Sequence, residues 1–317
     1  MRLLHGHTAE VMAVAFSPDG RALASAGWDG SIRLWKLSGG ESVSLRTAND
    51  HALAVAWSPD GEYLAAGFRS DGPAIHDYGE VAWFRCRSRT SEEPLAIRPQ
   101  DTWIAHANKT RCICLSPDGK KLATAGIDRP LEFQIKIWDP SEKQTVSTLS
   151  LSRESVQSIC FCPDGNEFAG VNHELGCGLI AWNSINPLGR GGIRARYHKR
   201  YKSDRGSALA YSPDGVILLG GFESGRLVWW QPGEREVGTV RFAHRAPIRS
   251  VAYSPDGRSV LSAGADGLVK IWDAHSRSLI RTFDWQLGDI GCVAVSPDGL
   301  TAAAGGNGVI VLWDLEG

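Results

Sequence analysis

Three residue types able to do covalent chemistry recur in this chain at fixed spacing. His244 is followed at 18 and 22 residues by Ser262 and Asp266. An imidazole, a hydroxyl and a carboxylate are the parts of a nucleophilic triad, in which the imidazole takes the hydroxyl proton and the carboxylate orients the imidazole. The same offsets relate His7, Ser25 and Asp29, and again His106, Thr124 and Asp128. Hydrolysis needs one such set beside one oxyanion hole; three copies serve no catalytic purpose. A Trp follows each set, Trp35 and Trp272 six residues after the Asp and Trp138 after ten. Triplication, Thr in place of Ser and the fixed Trp all favour a brace over an active site.

The elements that carry these sets are themselves repeated. "SPDG" begins at Ser17, Ser58, Ser116, Ser212, Ser254 and Ser296, and "CPDG" at Cys162. Each copy follows an alternating apolar stretch such as "IRSVAY", which reads as a strand entering a turn fixed by Pro and Gly. A second strand, a tight turn and a third strand ending in Trp come next, then a fourth ("SLIRTFD"). The Trp series Trp35, Trp83, Trp138, Trp182, Trp230, Trp272 and Trp313 sets the register. Copies spaced by 41 or 42 residues match the period of a four-stranded propeller blade. No stretch keeps a helical period.

Bulk properties exclude several function classes. A formal net charge of -1 argues against whole-molecule attraction to nucleic acid or membrane. No segment approaches the roughly 20 apolar residues of a membrane helix, and His5, His7 and Glu10 break the apolar run a signal peptide would need. Seven cysteines without a C-x-x-C pair indicate neither a disulfide framework nor a zinc module, so a reducing cytoplasmic setting is expected. Cys112, Cys114, Cys160 and Cys292 align with alanines of other copies and read as small core residues. G-x-S-x-G, H-E-x-x-H and P-loop motifs are absent.

The units "HGHTAEVMAVAFSPDGRALASAGWDGSIRLWK" and "AHRAPIRSVAYSPDGRSVLSAGADGLVKIWD" resemble those of WD-repeat proteins. The resemblance covers essentially the whole chain and implies an all-β fold, a seven-bladed β-propeller of four-stranded antiparallel blades. It implies one domain over 1–317, with blades near 5–47, 48–105, 106–151, 152–201, 202–243, 244–285 and 286–317. The last unit lacks its fourth strand, which residues 1–4 would supply to close the ring. That strand is short: either the seal is thin or the chain was cut from a longer parent. The resemblance also makes His7–Ser25–Asp29–Trp35, His106–Thr124–Asp128–Trp138 and His244–Ser262–Asp266–Trp272 hydrogen-bonded tetrads that tie blades 1, 3 and 6. Blades 2 and 4 keep only Trp83 and Trp182, while blade 5 has Lys202 in the His position, and blade 7 also departs from the pattern. Unequal blade stability is expected.

If the repeats are scaffold, function belongs to what varies on the faces they present. Family members often bind on the narrower face, through positions three and five after the His and one before the Asp. Carried over, these are Glu10, Met12 and Trp28 in blade 1 and His51, Leu53 and Arg69 in blade 2. Blade 3 offers Lys109, Arg111 and Ile127, and blade 4 Ser155, Gln157 and His173. Blade 5 offers Arg205, Ser207 and Glu223, blade 6 Pro247, Arg249 and Ala265, and blade 7 Asp289, Gly291 and Gly306. Trp28 is a suitable hot-spot anchor, and the long second-to-third-strand loops of blades 2, 3 and 4 raise the same rim.

The expected function is a non-catalytic scaffold for a protein or peptide partner on that face, with no cofactor and no metal. A second reading is binding of nucleic acid or another polyanion through "IRARYHKRY", where alternation puts Arg194, Arg196, His198 and Arg200 on one side of an outer strand. Edge protection explains the same charges. A channel enzyme is the weakest reading, since the innermost strands offer chiefly Ala, Ser, Cys and branched apolar residues.

Overall fold

A computed structural model describes residues 1–39, 42–47, 51–69, 78–87, 96–128, 132–151, 156–172, 178–183, 195–200, 204–232, 234 and 240–315. The described residues form strands, turns and bends with no helix. They build a seven-bladed propeller of antiparallel four-stranded blades.

Six of the seven blades start from the same local chemistry, blade 4 having Cys162 in place of the serine. At the end of the innermost strand, the Ser17 hydroxyl donates to Asp19 Oδ1 at 2.6 Å and accepts from the Ala22 amide at 2.9 Å. The arrangement recurs at Ser58, Ser116, Ser212, Ser254 and Ser296. The turn ends in a left-handed residue, φ 69° at Gly20 and 72° at Gly257, so only glycine fits without strain. These turns also touch from blade to blade. A Cβ on Gly61 would lie 3.6 Å from Pro18 Cδ, and one on Gly20 3.9 Å from Pro297 Cδ, so the last blade abuts the first.

Ring closure is more continuous than the sequence suggests. One strand, Arg2–Phe16, serves two blades. Its first part pairs with Asn307–Asp314 (Leu4 opposite Ile310, His5 opposite Val309), and its second with Ala22–Gly27. Blade 7 therefore takes its fourth strand from the residues that lead directly into blade 1.

Between neighbouring blades lies an apolar layer, seven in all among the described residues. Leu23 and Trp35 of blade 1 meet Ile310 and Leu312 of blade 7, for example. Cross-strand pairing corrects the reading of blade 2. Trp35 stands opposite Leu23 and Trp272 opposite Val260, each six residues beyond its turn Ser. The corresponding Leu64 is opposite Phe84, not Trp83. Because successive strand residues face opposite sides, Phe84 packs toward blade 1 and Trp83 toward blade 3, beside Ile113 and Trp138.

Candidate functional site

The His–Ser–Asp sets are buried chains of hydrogen bonds. In blade 6 the Trp272 indole N–H donates to Ser262 Oγ at 3.0 Å, and that oxygen lies 2.8 Å from His244 Nε2. His244 Nδ1 lies 2.8 Å from Asp266 Oδ1, and the Arg245 amide donates to Asp266 Oδ2 at 3.0 Å. Blade 1 repeats this with Trp35, Ser25, His7 and Asp29 at 2.8, 2.7 and 3.0 Å along the chain. In blade 3 Thr124 Oγ1 sits 2.9 Å from both Trp138 Nε1 and His106 Nε2. Its last link is looser: His106 Nδ1 is 3.4 Å from Asp128 Oδ2, which Lys136 Nζ approaches at 2.8 Å. Ser25, Thr124 and Ser262 are 0% exposed. A hydroxyl closed in by an indole, an imidazole and strand backbone has no room for a carbonyl substrate, so these three sets act as braces.

Burial sets their protonation. It pushes the imidazoles of His7 and His244 below their ordinary value of 6.5, against the pull of the adjacent carboxylates. Burial also works to raise the Asp29 carboxyl, but the Ser31 hydroxyl and the amides of Thr8 and Ser31 outweigh it and bring it to about 2. The close His–Asp approach needs glycine alongside. A Cβ on Gly264 would lie 2.5 Å from His244 Nδ1 and 2.7 Å from Asp266 Oδ1.

Two blades replace this chemistry in ways sequence reasoning missed. Phe68 and Phe222 hold the cross-strand positions of Gly27 and Gly264, and both are fully buried in the layers between blades. An apolar ring thus stands where blades 1, 3 and 6 place a His–Asp pair. In blade 5 the buried Asp204 accepts the Ser224 hydroxyl at 2.6 Å, two residues beyond the Lys202 that alignment put in the His position. Blade 7 packs Trp313 against Trp285 and Phe283, with ring centroids 4.8 and 5.6 Å away.

At the start of the innermost strands, on the face opposite the turns, the ring encloses a cavity of about 430 Å³. Positions five after the His enter it from all seven blades: Met12, Leu53, Arg111, Gln157, Ser207, Arg249 and Gly291. Glu10, His51, Lys109 and Asp289 line it as well, with Trp28, Arg69, Glu223 and Gly306. Val11 also lines it, a position the carry-over did not name. Ile127, Arg205, Pro247 and Ala265 lie outside the lining; the exposed Arg205 guanidinium is 3.9 Å from Glu223. Ser155 and His173 lie outside the described residues, as does most of the long loops 70–77, 129–131 and 173–177. Trp28 is 41% exposed at the rim, its ring edge-on to His51 at 5.1 Å. The His51 imidazole is also 2.7 Å from the Trp28 carbonyl oxygen.

Charge is unevenly distributed around this mouth. On the side of blades 5, 6, 7 and 1, Arg249 makes a bidentate pair with Asp289 at 2.8–3.3 Å and feels Glu10 and Glu223. Arg69, Lys109 and Arg111 stand together on the side of blades 2 and 3, and the Arg69–Lys109 pairing joins those two blades. Lys109 is depressed to about 8, first by burial and then by the charges of Arg111 and Arg69.

Other chemistry-bearing groups are dispersed. Burial raises the thiols of Cys86, Cys112 and Cys292 to about 12, far from the thiolate that nucleophilic attack or metal ligation requires. No group of three His, Cys, Asp or Glu able to hold a metal occurs among the described residues. Arg196, His198 and Arg200 lie on the outermost strand of blade 4, Ala195–Arg200, described in its backbone only; Arg194 is outside the described residues. No described helix is long and apolar enough to cross a membrane.

Fold and site together define a β-propeller with an open, polar channel mouth. The profile of "WD domain, G-beta repeat" matches residues 1–36, 42–72, 97–139, 235–273 and 277–314. The chain belongs to the WD-repeat family. The longest unmatched stretch, 140–234, falls mainly in blades 4 and 5. Among similar proteins is THO complex subunit 3 of Arabidopsis thaliana, 24% identical over 70% of this chain and 80% of its own length. Nuclear distribution protein PAC1-2 of Uncinocarpus reesii is 34% identical over 49% of this chain, and human striatin-4 26% identical over 68%. The chain spans only 34% and 27% of those two relatives.

Proposed function

We propose that this chain is a non-catalytic scaffold that docks a protein or peptide partner in the channel mouth on its narrow face. The observation that carries the reading is the cavity itself, to which every blade contributes a side chain or glycine from the same strand position. Its walls are strands held by buried layers and braces, which keep the lining preorganised and lower the cost of ordering on binding. The half-exposed Trp28 supplies the type of aromatic anchor on which interface energy concentrates. WD-repeat proteins are in general interaction scaffolds, and the name of one relative makes it a subunit of a complex. A cytoplasmic setting fits the free cysteines.

The test pairs two lesions with two ligands. A partner recovered by affinity capture from the native source, then purified, and a single-stranded oligonucleotide are each titrated against the variants. Trp28→Ala is expected to weaken the protein partner at least about tenfold, near the threshold of a hot-spot residue, and to leave the oligonucleotide unaffected. Arg196→Glu with Arg200→Glu is expected to leave the protein partner unaffected. Oligonucleotide binding at about 50 mM salt that this double variant abolishes, with no effect of Trp28→Ala on the protein, would favour the polyanion reading.

A further inference from the structure

The last hairpin of the chain carries the sequence's single Asn-Gly pair, Asn307–Gly308. The Gly306 amide donates to the Val309 carbonyl oxygen at 3.0 Å, which makes these two residues the hairpin tip. Asn307 is exposed, and its side-chain amide makes no hydrogen bond among the described residues. Gly308 is left-handed, φ 74°, and belongs to neither cross-strand register. Pairing with the first strand passes from His5–Val309 to Glu10–Asn307, and pairing with Thr301–Gly305 ends at Ile310. A glycine lacks the Cβ that would screen its nitrogen from close approach. Aspartates that precede glycine elsewhere are ionised and held. Asp29 accepts the Thr8 and Ser31 amides, Asp266 the Arg245 amide, and Asp298 the Ser296 hydroxyl and the Leu300 amide. The neutral carboxamide of Asn307 is the better electrophile and the free one.

We propose that Asn307 is a site of spontaneous deamidation, and that its products loosen ring closure as the protein ages. The Gly308 nitrogen, its proton passing to hydroxide, attacks Asn307 Cγ; ammonia leaves and a five-membered succinimide closes. Water reopens that ring. Breaking the bond from nitrogen to Cγ leaves aspartate. Breaking the bond from nitrogen to the backbone carbonyl carbon leaves isoaspartate, whose main chain runs on through the side-chain carbons. Both products set a carboxylate opposite Glu10, and like charges directly opposite in a sheet are destabilising. Isoaspartate also lengthens the main chain where there is no slack. A Cβ on Gly306 would lie 3.2 Å from Leu287 Cβ and Ile290 Cδ1, and one on Gly308 2.9 Å from the His7 carbonyl oxygen. The tip sits where the first strand leaves blade 7 for blade 1, since the Val11 amide donates to the Gly306 carbonyl oxygen at 3.1 Å and Val11 pairs with Gly27. A displacement there acts on the strand that joins the two blades.

The experiment holds the full chain for days in mildly alkaline and in mildly acidic buffer. Peptide fragmentation locates the mass gain of amide-to-acid exchange, and labelling by an isoaspartyl methyltransferase reports isoaspartate. Conversion is expected at Asn307, faster in the alkaline buffer. The methyl label at this position should be absent from Asn307→Gln, whose longer side chain cyclises far more slowly. Hydrogen exchange should show loss of protection in Arg2–His5 in step with conversion, and the melting temperature should fall. Freshly made Asn307→Asp, which carries the charge without the longer main chain, should show a smaller loss. Thermal melts of the fresh variants confirm folding. Two results overturn the proposal. An unconverted Asn307 in the folded chain, under conditions that convert a free peptide of residues 303–311, would show that the fold holds the pair closed. Conversion with unchanged protection in Arg2–His5 and unchanged melting would show that the tip does not control closure.

Discussion

At the residue scale, the Ser262 hydroxyl is shared by an indole N–H and an imidazole with no exposed surface. Ser262→Ala strands two buried polar groups and should cost about 1–3 kcal/mol. Trp272→Ala should cost more, about 3–5 kcal/mol, because a large buried ring leaves a cavity. Trp28→Ala should stay within about 0.5 kcal/mol of wild type, since the side chain is exposed at the rim rather than buried in a layer between blades. Urea denaturation orders the three, and a Trp28 cost equal to that of Trp272 would contradict the assignment of one to binding and the other to the brace. The braces also make stability acid-sensitive. His7 and His244 are held neutral by burial, so their contribution is complete above pH about 6.5 and falls as the unfolded imidazole gains its proton. The depressed Asp29 adds a second loss between about pH 4 and pH 2. Urea midpoints should be flat above pH 7 and decline toward pH 5; a rise on acidification would mean the imidazoles are stabilised as cations.

Blades differ as elements in the kind of brace they use. Blades 1, 3 and 6 carry the polar tetrad, while blade 2 buries Phe68 at the equivalent position. Replacing a buried ionic network with well-packed apolar groups is often neutral or stabilising, so blade 2 is not necessarily weak. The distinguishing variable is pH. Hydrogen exchange, corrected for intrinsic rates, should lose protection in blades 1 and 6 between pH 7 and pH 5, and retain it in Ala52–Phe68 of blade 2. Equal losses in all three blades would show that the tetrads do not control local stability. What was legible in the sequence follows the same division. The turn serines and the tetrads were readable because each hydrogen bond demands a particular residue at a particular offset. Phe84 was not, because "WF" offers two aromatics and only cross-strand pairing chooses between them. Asp204 was missed because it reaches Ser224 from a loop, off the strand alignment. The mouth residues could be placed by offset, but their sorting into a cationic and an anionic side depends on which blades adjoin, a property of the closed ring.

On the scale of the whole molecule, closure rests on Leu4 and its neighbours. Leu4, opposite Ile310, is buried in the layer that joins the last blade to the first, which also holds Trp35. Leu4→Asp places an unpaired carboxylate there and should open the ring, with a loss of several kcal/mol and concentration-dependent association through the freed edge. An unchanged Tm would contradict a seal of this kind. The central claim, that partners dock in the channel mouth, is tested most directly by site-specific photocross-linking. A photoreactive phenylalanine analogue is placed at Leu53, inside the cavity, or at Val146, which is 52% exposed on an outer strand. Irradiation with the captured partner should give a covalent adduct from position 53 and none from position 146. An adduct from position 146 alone would place the partner on the propeller's outer edge and contradict the account.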